Sequence, residues 1–407
     1  MPIWQRNLYA CWLGCFITGT ASSLVMPFMP LFIEQLGVHS VGAIEQWSGF
    51  AYGATFLLAA LVAPLWGRLA DQHGRRLMLL RASLAMAVVM SLMGLAQNVY
   101  QLTFLRLLFG GALGFNSSSI ALVATQTPRE KSGWALGTLA TGSIAGSLIG
   151  PLLGGYLAEV MGLRNVFFVT GVLLFATFML TMFLVKETFV PDGKPPLKAR
   201  EVWQRIPHPG QLWALFATVL ILWVANLSIE PIVTVYIKQL AGNTDHVALI
   251  SGMVFAASGL ATVLVAPSFG KLSDRVGPRT VLLGSLIAAA VLFVPQAFVQ
   301  NPWQLLGLRF LMGVAGAGLV PSVNTLIKHM VPNEIAGRVY GYSQSAQFLG
   351  GLVGPVMGGQ MAAFLGIRAV FFSTCLLLLL NAAWVYFNGR KSAPQAEPPL
   401  PSPEVVS

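Results

Sequence analysis

The 407-residue sequence is short of charge: 9% of its residues are Asp, Glu, Lys or Arg, where a soluble domain carries about 25%. A chain that is 56% apolar has too little polar surface to cover a soluble core. This excludes a soluble enzyme, a DNA-binding domain and a disordered scaffold. Cysteine is scarce too. Cys11, Cys15 and Cys375 all fall in apolar runs, so neither a disulfide framework nor a thiolate metal cluster is expected. The five histidines show no H-E-x-x-H spacing and no G-x-x-x-x-G-K-[ST] loop occurs, so no metal, cofactor or ATP is expected. The apolar runs are long and lack the alternation of membrane strands, which excludes a β-barrel.

What is present is apolar sequence in the amount that about twelve spans of roughly 20 residues would use. Apolar runs predict spans at about 8–33, 47–69, 77–95, 100–123, 132–156 and 164–185, then 211–237, 247–271, 280–298, 303–326, 338–362 and 368–388. The first run is too long for a cleaved signal peptide. The break KETFVPDGKPPLKAREVWQRIPHP is polar, basic and Pro-rich, as a linker is. The expected organisation is a bundle at 1–185, a cytoplasmic linker at 186–209, a second bundle at 210–390 and a disordered cytoplasmic tail at 391–407. Of the 24 basic residues, 19 fall on one side of these spans, Arg164, Lys238 and Arg368 on the other, and Arg106 and Arg309 within spans. This bias predicts both termini in the cytoplasm and explains the net charge of +10 without a nucleic-acid partner.

The two halves repeat. VAPLWGRLADQHGRR (62–76) matches VAPSFGKLSDRVGPR (265–279) at an offset of 203, as QNVYQLTFLRLLFGGA (97–112) matches QNPWQLLGLRFLMGVA (300–315). At an offset of 204, GPLLGG (150–155) matches GPVMGG (354–359), GLRNVFFVT (162–170) matches GIRAVFFST (366–374) and PFMPLFIEQL (27–36) matches PIVTVYIKQL (231–240). Six spans repeated in parallel predict two pseudo-symmetric six-helix bundles, with a binding site near mid-membrane between them.

These residues resemble the major facilitator superfamily. GRLADQHGRR (67–76) and its copy at 270–279 are similar to the signature loop between the second and third spans. LTFLRLLFGG (102–111) is similar to the fourth-span signature, and GSIAGSLIGPLLGG (142–155) to the fifth-span antiporter signature. With PFMPLFIEQLGV and TPREKSGWALGTL (127–139), they resemble drug:proton antiporters of twelve spans. The resemblance implies an all-α membrane protein of the bacterial inner membrane, working as a monomer. Its partners would be small-molecule drugs, protons and the lipid bilayer. The alternative on the same fold is a facilitator or proton symporter for a small nutrient, against which the fifth-span signature argues.

The resemblance also assigns roles. Gly67, Asp71, Gly74, Arg75 and Arg76, with Asp274 in the second copy, form a conformational gate. Asp71 is expected to face the positive N-terminal end of the eleventh span near Gly337, and the arginines to pair with nearby carboxylates. Arg106 is linked to proton coupling. A charge within a span costs at least about 2.5–3.5 kcal/mol and marks a functional site. Its copy Arg309 allows another reading, that each arginine binds backbone carbonyls. Gly142, Gly146, Gly150 and Gly154 recur about once per turn, and Pro151 bends the helix. The resemblance sets this face against the other half, where it limits leakage; ordinary tight packing between neighbouring helices is the alternative.

Polar mid-span residues are few. Asn116, Asn226, Asn324, Gln344, Gln347 and Asn381, beside Trp12, Tyr52, Trp223, Tyr340 and Tyr342, are candidates to line a substrate cavity or to bond between helices. Glu34 and Lys238 are repeat mates at outer helix ends; they are expected to be two solvated interface charges, with an ion pair across the outer mouth as the alternative. Glu230 is the only carboxylate expected inside a span away from its ends, directly before Pro231; its repeat mate is Met26. It is the candidate for the exchanged proton or for recognition of cationic drugs, with solvation or pairing to Lys238 as the alternative.

Overall fold

A computed structural model of the protein describes residues 2–187, 189, 199–207, 209–242, 246–332 and 335–390. The expected tail at 391–407 and most of the linker's basic stretch lie outside the described residues. Among those described there is no strand. Twelve helices are long and apolar enough to cross a membrane. The first six are α1 (Ile3–Gln35), α2 (Val41–His73), α3 (Arg75–Gly94), α4 (Val99–Gln126), α5 (Ser132–Met161) and α6 (Leu163–Leu184). The second six are α7 (Pro209–Ala241), α8 (Val247–Val276), α9 (Pro278–Gln296), α10 (Pro302–Met330), α11 (Ala336–Leu365) and α12 (Ile367–Asn388). They form two pseudo-symmetric six-helix bundles, with edges within a few residues of those expected except where helices run on past the apolar stretch.

Turn chemistry explains the sharp reversals. Gly74 (φ 90°) alone joins α2 to α3, and its mate Gly277 (φ 86°) joins α8 to α9. Gly162 and Gly366 do the same between α5 and α6 and between α11 and α12. With ψ near 150° this backbone is open essentially to glycine alone.

Four repeat-related helices are broken near mid-span. α1 passes from Ile3–Leu24 through a 3-10 turn, Met26–Phe28, to Met29–Gln35. α4 restarts at Phe115 after Ala112, α7 at Glu230 after Leu227 and α10 at Leu319 after Gly316. Pro27, Pro231, Pro321 and the left-handed Gly114 (φ 128°) sit at or beside the breaks. Side chains take up the freed carbonyls, as buried membrane backbone requires. Tyr52 Oη donates to Met26 O at 2.7 Å, and Thr234 Oγ1 reaches across the bundles to Pro27 O at 2.7 Å. Arg81, expected as a plain inner-loop charge, donates to Gly111 O and Leu113 O at 3.1 Å each. Its guanidinium lies 3.8 Å from the Trp66 ring centroid.

The expected linker is not all chain between bundles. Lys186 and Asn7 bond reciprocally, and a helix at Ala199–Gln204 buries Val202 completely. Trp203 of that helix stacks between Trp213 (4.9 Å) and Tyr342 (5.7 Å). Tyr342 therefore docks the linker and is no cavity wall.

Candidate functional site

The breaks in α1 and α7 bring the Met26–Phe28 turn and the Glu230–Ala241 segment together at the bundle interface, where Thr234 bonds Pro27 O. Glu230 opens the second segment of α7, where the positive end of a helix favours a carboxylate. It lies within electrostatic reach of two arginines, Arg106 of α4 and its repeat mate Arg309 of α10. Arg106 is 4% exposed, and its guanidinium sits 5.4 Å from the Tyr52 ring centroid and 6.0 Å from that of Phe109. The alternative reading, that the two arginines pin helix ends through carbonyls, fits Arg81, which does that work for α4, whereas Arg106 and Arg309 both act electrostatically on Glu230. The pairing is not closed: Glu230 Oε2, Arg106 Nε and Arg309 Nε and Nη2 are buried without a hydrogen-bond partner. Such atoms are uncommon in a settled core. With both arginines and the glutamate ionised, the centre carries a net positive charge.

Glu230 is not paired with Lys238. Lys238 Nζ instead holds both carboxylate oxygens of Glu34, at 2.7 and 2.6 Å. The ion pair across the bundles, the alternative to two solvated charges, thus exists in this conformation. Nor is Glu230 the only carboxylate inside a span. α2 starts at Val41, well before its apolar run, so Glu45 lies inside the helix with 2% exposure.

The bundles meet along α2 with α11 and α5 with α8. A Cβ on Gly49 would overlap the Pro355 carbonyl, and one on Gly359 would overlap that of Glu45. The repeat mates do the same: Gly252 faces the Pro151 carbonyl, and Gly155 that of Ala248. Toward the outer ends, Gln46 bonds Gln360 at 3.2 Å, and Glu159 accepts from Leu249 N at 3.2 Å beside His246 at 3.0 Å. At the other ends of these helices, a Cβ on Gly67, Gly133, Gly137, Gly270, Gly337 or Gly341 would meet nothing within 4 Å. The bundles are closed on the side away from the basic loops and splayed on the side that carries them.

This geometry corrects the expected role of the α5 glycine face. Gly142, Gly146, Gly150 and Gly154 pack on the backbone of α1, in their own bundle. In α11, Gly350, Gly354 and Gly358 likewise pack on α7. The neighbouring stripe, Pro151 with Gly155 and Pro355 with Gly359, makes the contact between bundles. The doublet in GPxxGG therefore serves two neighbours about 100° apart on one helix.

In the signature loop, Asp71 is bound to Arg75 at 2.5 Å and its side chain is 66% exposed. The expected contact with the start of α11 is not made in this conformation, since that end is splayed away. Gly67 and Asp274 are exposed. Arg76 donates its side chain to Met182 O at 2.8 Å, as Arg279 does to Tyr386 O at 2.7 Å. The amides of Arg75 and Arg76 donate to Glu187, at 3.1 and 2.7 Å. Glu187 thus caps the start of α3, a role that only its place just past α6 could have suggested.

Of the cavity candidates, Asn116, Asn226, Tyr340 and Gln344 are exposed and Trp223 is half-buried against Gly350. Asn116 Oδ1 accepts from Ser143 Oγ (3.0 Å) and Cys15 Sγ (3.5 Å). Tyr340 Oη donates to Asn324 O at 3.2 Å, and Gln344 Nε2 to Gln347 Oε1 at 3.3 Å. Asn381 is not at the cavity; it is fully buried and donates to Thr218 O. Tyr52, 1% exposed, belongs to the charged centre.

A family model described as the Major Facilitator Superfamily matches residues 11–252 and 244–406. The chain is 50% identical to the multidrug resistance protein MdtG of Salmonella newport (strain SL254), over 96% of this chain and 97% of that one. It is likewise 50% identical to MdtG of Salmonella arizonae (strain ATCC BAA-731 / CDC346-86 / RSK2980), over 97% and 98%. Among solved structures it resembles a bacterial homolog of the human lysosomal transporter Spinster in an inward-facing and occupied conformation, with a TM-score of 0.78, 16% identity and 96% and 97% coverage. It also resembles the human organic anion transporter MFSD10, with a TM-score of 0.72, 18% identity and 95% and 100% coverage.

Proposed function

Since the chain belongs to the major facilitator superfamily, we propose that it is a multidrug efflux transporter of the bacterial inner membrane that exchanges small amphiphilic drugs for protons. The observation that carries this reading is the full-length likeness to MdtG, at 50% identity. Glu230, a carboxylate within electrostatic reach of an arginine from each bundle, supports the exchange, as a group that can take and release a proton inside the membrane. One proton moving down 100 mV yields about 2.3 kcal/mol, enough for a drug gradient of roughly 50-fold. The bias of the basic residues supports cytoplasmic termini; on that reading the splayed side is the inner one and the conformation is inward-open. Bundles 1–185 and 210–390 rock about the central site, tethered by 186–209. One chain holds the whole pathway, so a monomer suffices. Inverted vesicles test the reading: adding a drug should release protons from the lumen, and a drug that accumulates with no proton movement would refute the exchange.

Two predictions follow from the gates. Glu34→Cys with Lys238→Cys should crosslink in the inward-open state and lose crosslinking when an outward-open state is trapped. Equal yield in both states would remove the pair from the gate. Because the pair is exposed and worth about 0–1 kcal/mol, Lys238→Gln alone should slow transport by less than about fivefold.

Asp71 is proposed to leave Arg75 and meet the start of α11 when the inner side closes. Asp71→Asn keeps the shape and removes the charge. Transport should nearly vanish at unchanged membrane yield; near-normal efflux at equal expression would discard the latch.

A further inference from the structure

The first bundle's cavity wall carries a polar recess whose central residue, Asn116, has the apolar Leu319 as its repeat mate. α1 packs on α4, α5 and α6 of its own bundle, so its uncovered face looks toward the other bundle. On that face Trp12 and Phe16 are half-buried and stacked, with ring planes 9° apart and centroids 6.1 Å apart. Trp12 Nε1 is tied to Thr141 Oγ1 at 3.0 Å, which holds the indole in place. Two residues on, Ser143 donates to Asn116 Oδ1 at 3.0 Å, and Cys15 donates to the same oxygen from the other side at 3.5 Å. Both bonds occupy the carbonyl end of the amide and so fix which end faces the cavity. Asn116 is exposed, and its Nδ2 donates to none of the described residues. At the repeat offsets the second bundle has Phe216, Val219 and Leu319, all buried and apolar, in place of Trp12, Cys15 and Asn116, while Ser345 and Gln347 stand in place of Thr141 and Ser143. The amide at the centre of the recess is therefore particular to the first bundle.

We infer that Asn116, held by Ser143 and Cys15 beside the Trp12–Phe16 shelf, forms a subsite for flat aromatic compounds bearing a neutral hydrogen-bond acceptor such as a carbonyl. The shelf takes the ring face, and the amide NH₂ takes the acceptor. The inference rests on the splayed cavity being the drug pathway. It adds a chemical preference that the charged centre does not supply, since Glu230 and its arginines offer ionised groups and Asn116 a neutral donor.

The test compares 9-fluorenone with fluorene, which share a ring skeleton and differ by the carbonyl. Equilibrium binding of the tritiated compounds is measured on the full-length protein in lipid nanodiscs. The quantity read is the fluorenone-to-fluorene affinity ratio, taken relative to wild type so that partitioning into lipid cancels. Asn116→Leu should lower the ratio about fivefold to tenfold, as expected for loss of one hydrogen bond. Ser143→Ala, which frees the amide to turn, should lower it about two- to threefold. Trp12→Ala should weaken both compounds alike and leave the ratio unchanged. If Asn116→Leu is not monodisperse, Asn116→Asp keeps the acceptor for Ser143 and Cys15, lacks the donor, and should lower the ratio as well. An unchanged ratio in a monodisperse Asn116 variant overturns the inference, as does absence of saturable fluorenone binding to wild type. Proton release is read separately in inverted vesicles, so a subsite without proton movement would count against the exchange reading alone.

Discussion

Inverted vesicles carrying Glu230→Gln are expected to release no protons on addition of drug, where wild-type vesicles do. The variant removes the carboxylate that both Arg106 and Arg309 influence electrostatically. It leaves two buried positive charges without their counter-ion, which typically costs about 3–5 kcal/mol, so its membrane yield should also fall. A double variant, Glu230→Gln with Arg309→Met, separates the two effects. It restores the balance of charge at the centre and should recover yield while still releasing no protons. Proton release by either variant would take Glu230 out of the exchange. The flanking arginines also decide the substrate side of this test. A carboxylate already facing two guanidinium groups is a poor site for a cation, so cationic and neutral drugs should lose transport together. Loss of the cationic drug alone would restore Glu230 as a recognition residue and shift the coupling toward Arg106.

The second large effect is expected at the contact between bundles. Gly252→Val pushes a side chain into the Pro151 carbonyl, which is backbone and cannot rotate away. Overpacking of this kind costs about 1–3 kcal/mol and should disfavour the outer-closed state about 5- to 150-fold. Drug export should fall by at least about fivefold, and crosslinking between Glu34→Cys and Lys238→Cys should fall with it. Gly359→Val, whose side chain meets the Glu45 carbonyl from the pseudo-symmetric contact, should behave alike. Gly146→Val provides the contrast. Its Cβ meets the backbone of Phe16 and Thr20 within the same bundle, so it should lower the amount of folded protein instead of shifting conformation. Unchanged crosslinking in Gly252→Val, with folded protein in normal amount, would mean that these glycines do not hold the outer side shut.

Much of this protein was decided by its sequence alone. Twelve spans and two repeated bundles follow from apolar length, and each span needs only its own residues to satisfy its backbone. The charge bias of the loops and the single-residue turns at Gly74 and Gly277 are equally local. The pairing of Glu34 with Lys238 could be anticipated because a repeat offset is itself a statement about space. Which partner a side chain takes is not local. One apolar run of α5 offers two glycine stripes, and only the packed helices show that Gly150 and Gly154 meet α1 while Pro151 and Gly155 meet α8. The sequence marks Arg106 and Arg309 as costly, yet says nothing of their sharing Glu230, because that meeting needs three helices from two bundles. Glu45 escaped notice because its helix starts before its apolar run, and Glu187 because a cap depends on which amides end nearby. Asp71 shows a further limit: its charge and motif are fixed by sequence, but its partner changes with the angle between the bundles. Local propensity and hydropathy act within a few residues, whereas burial, charge pairing and gating depend on distances that only the assembled helices set.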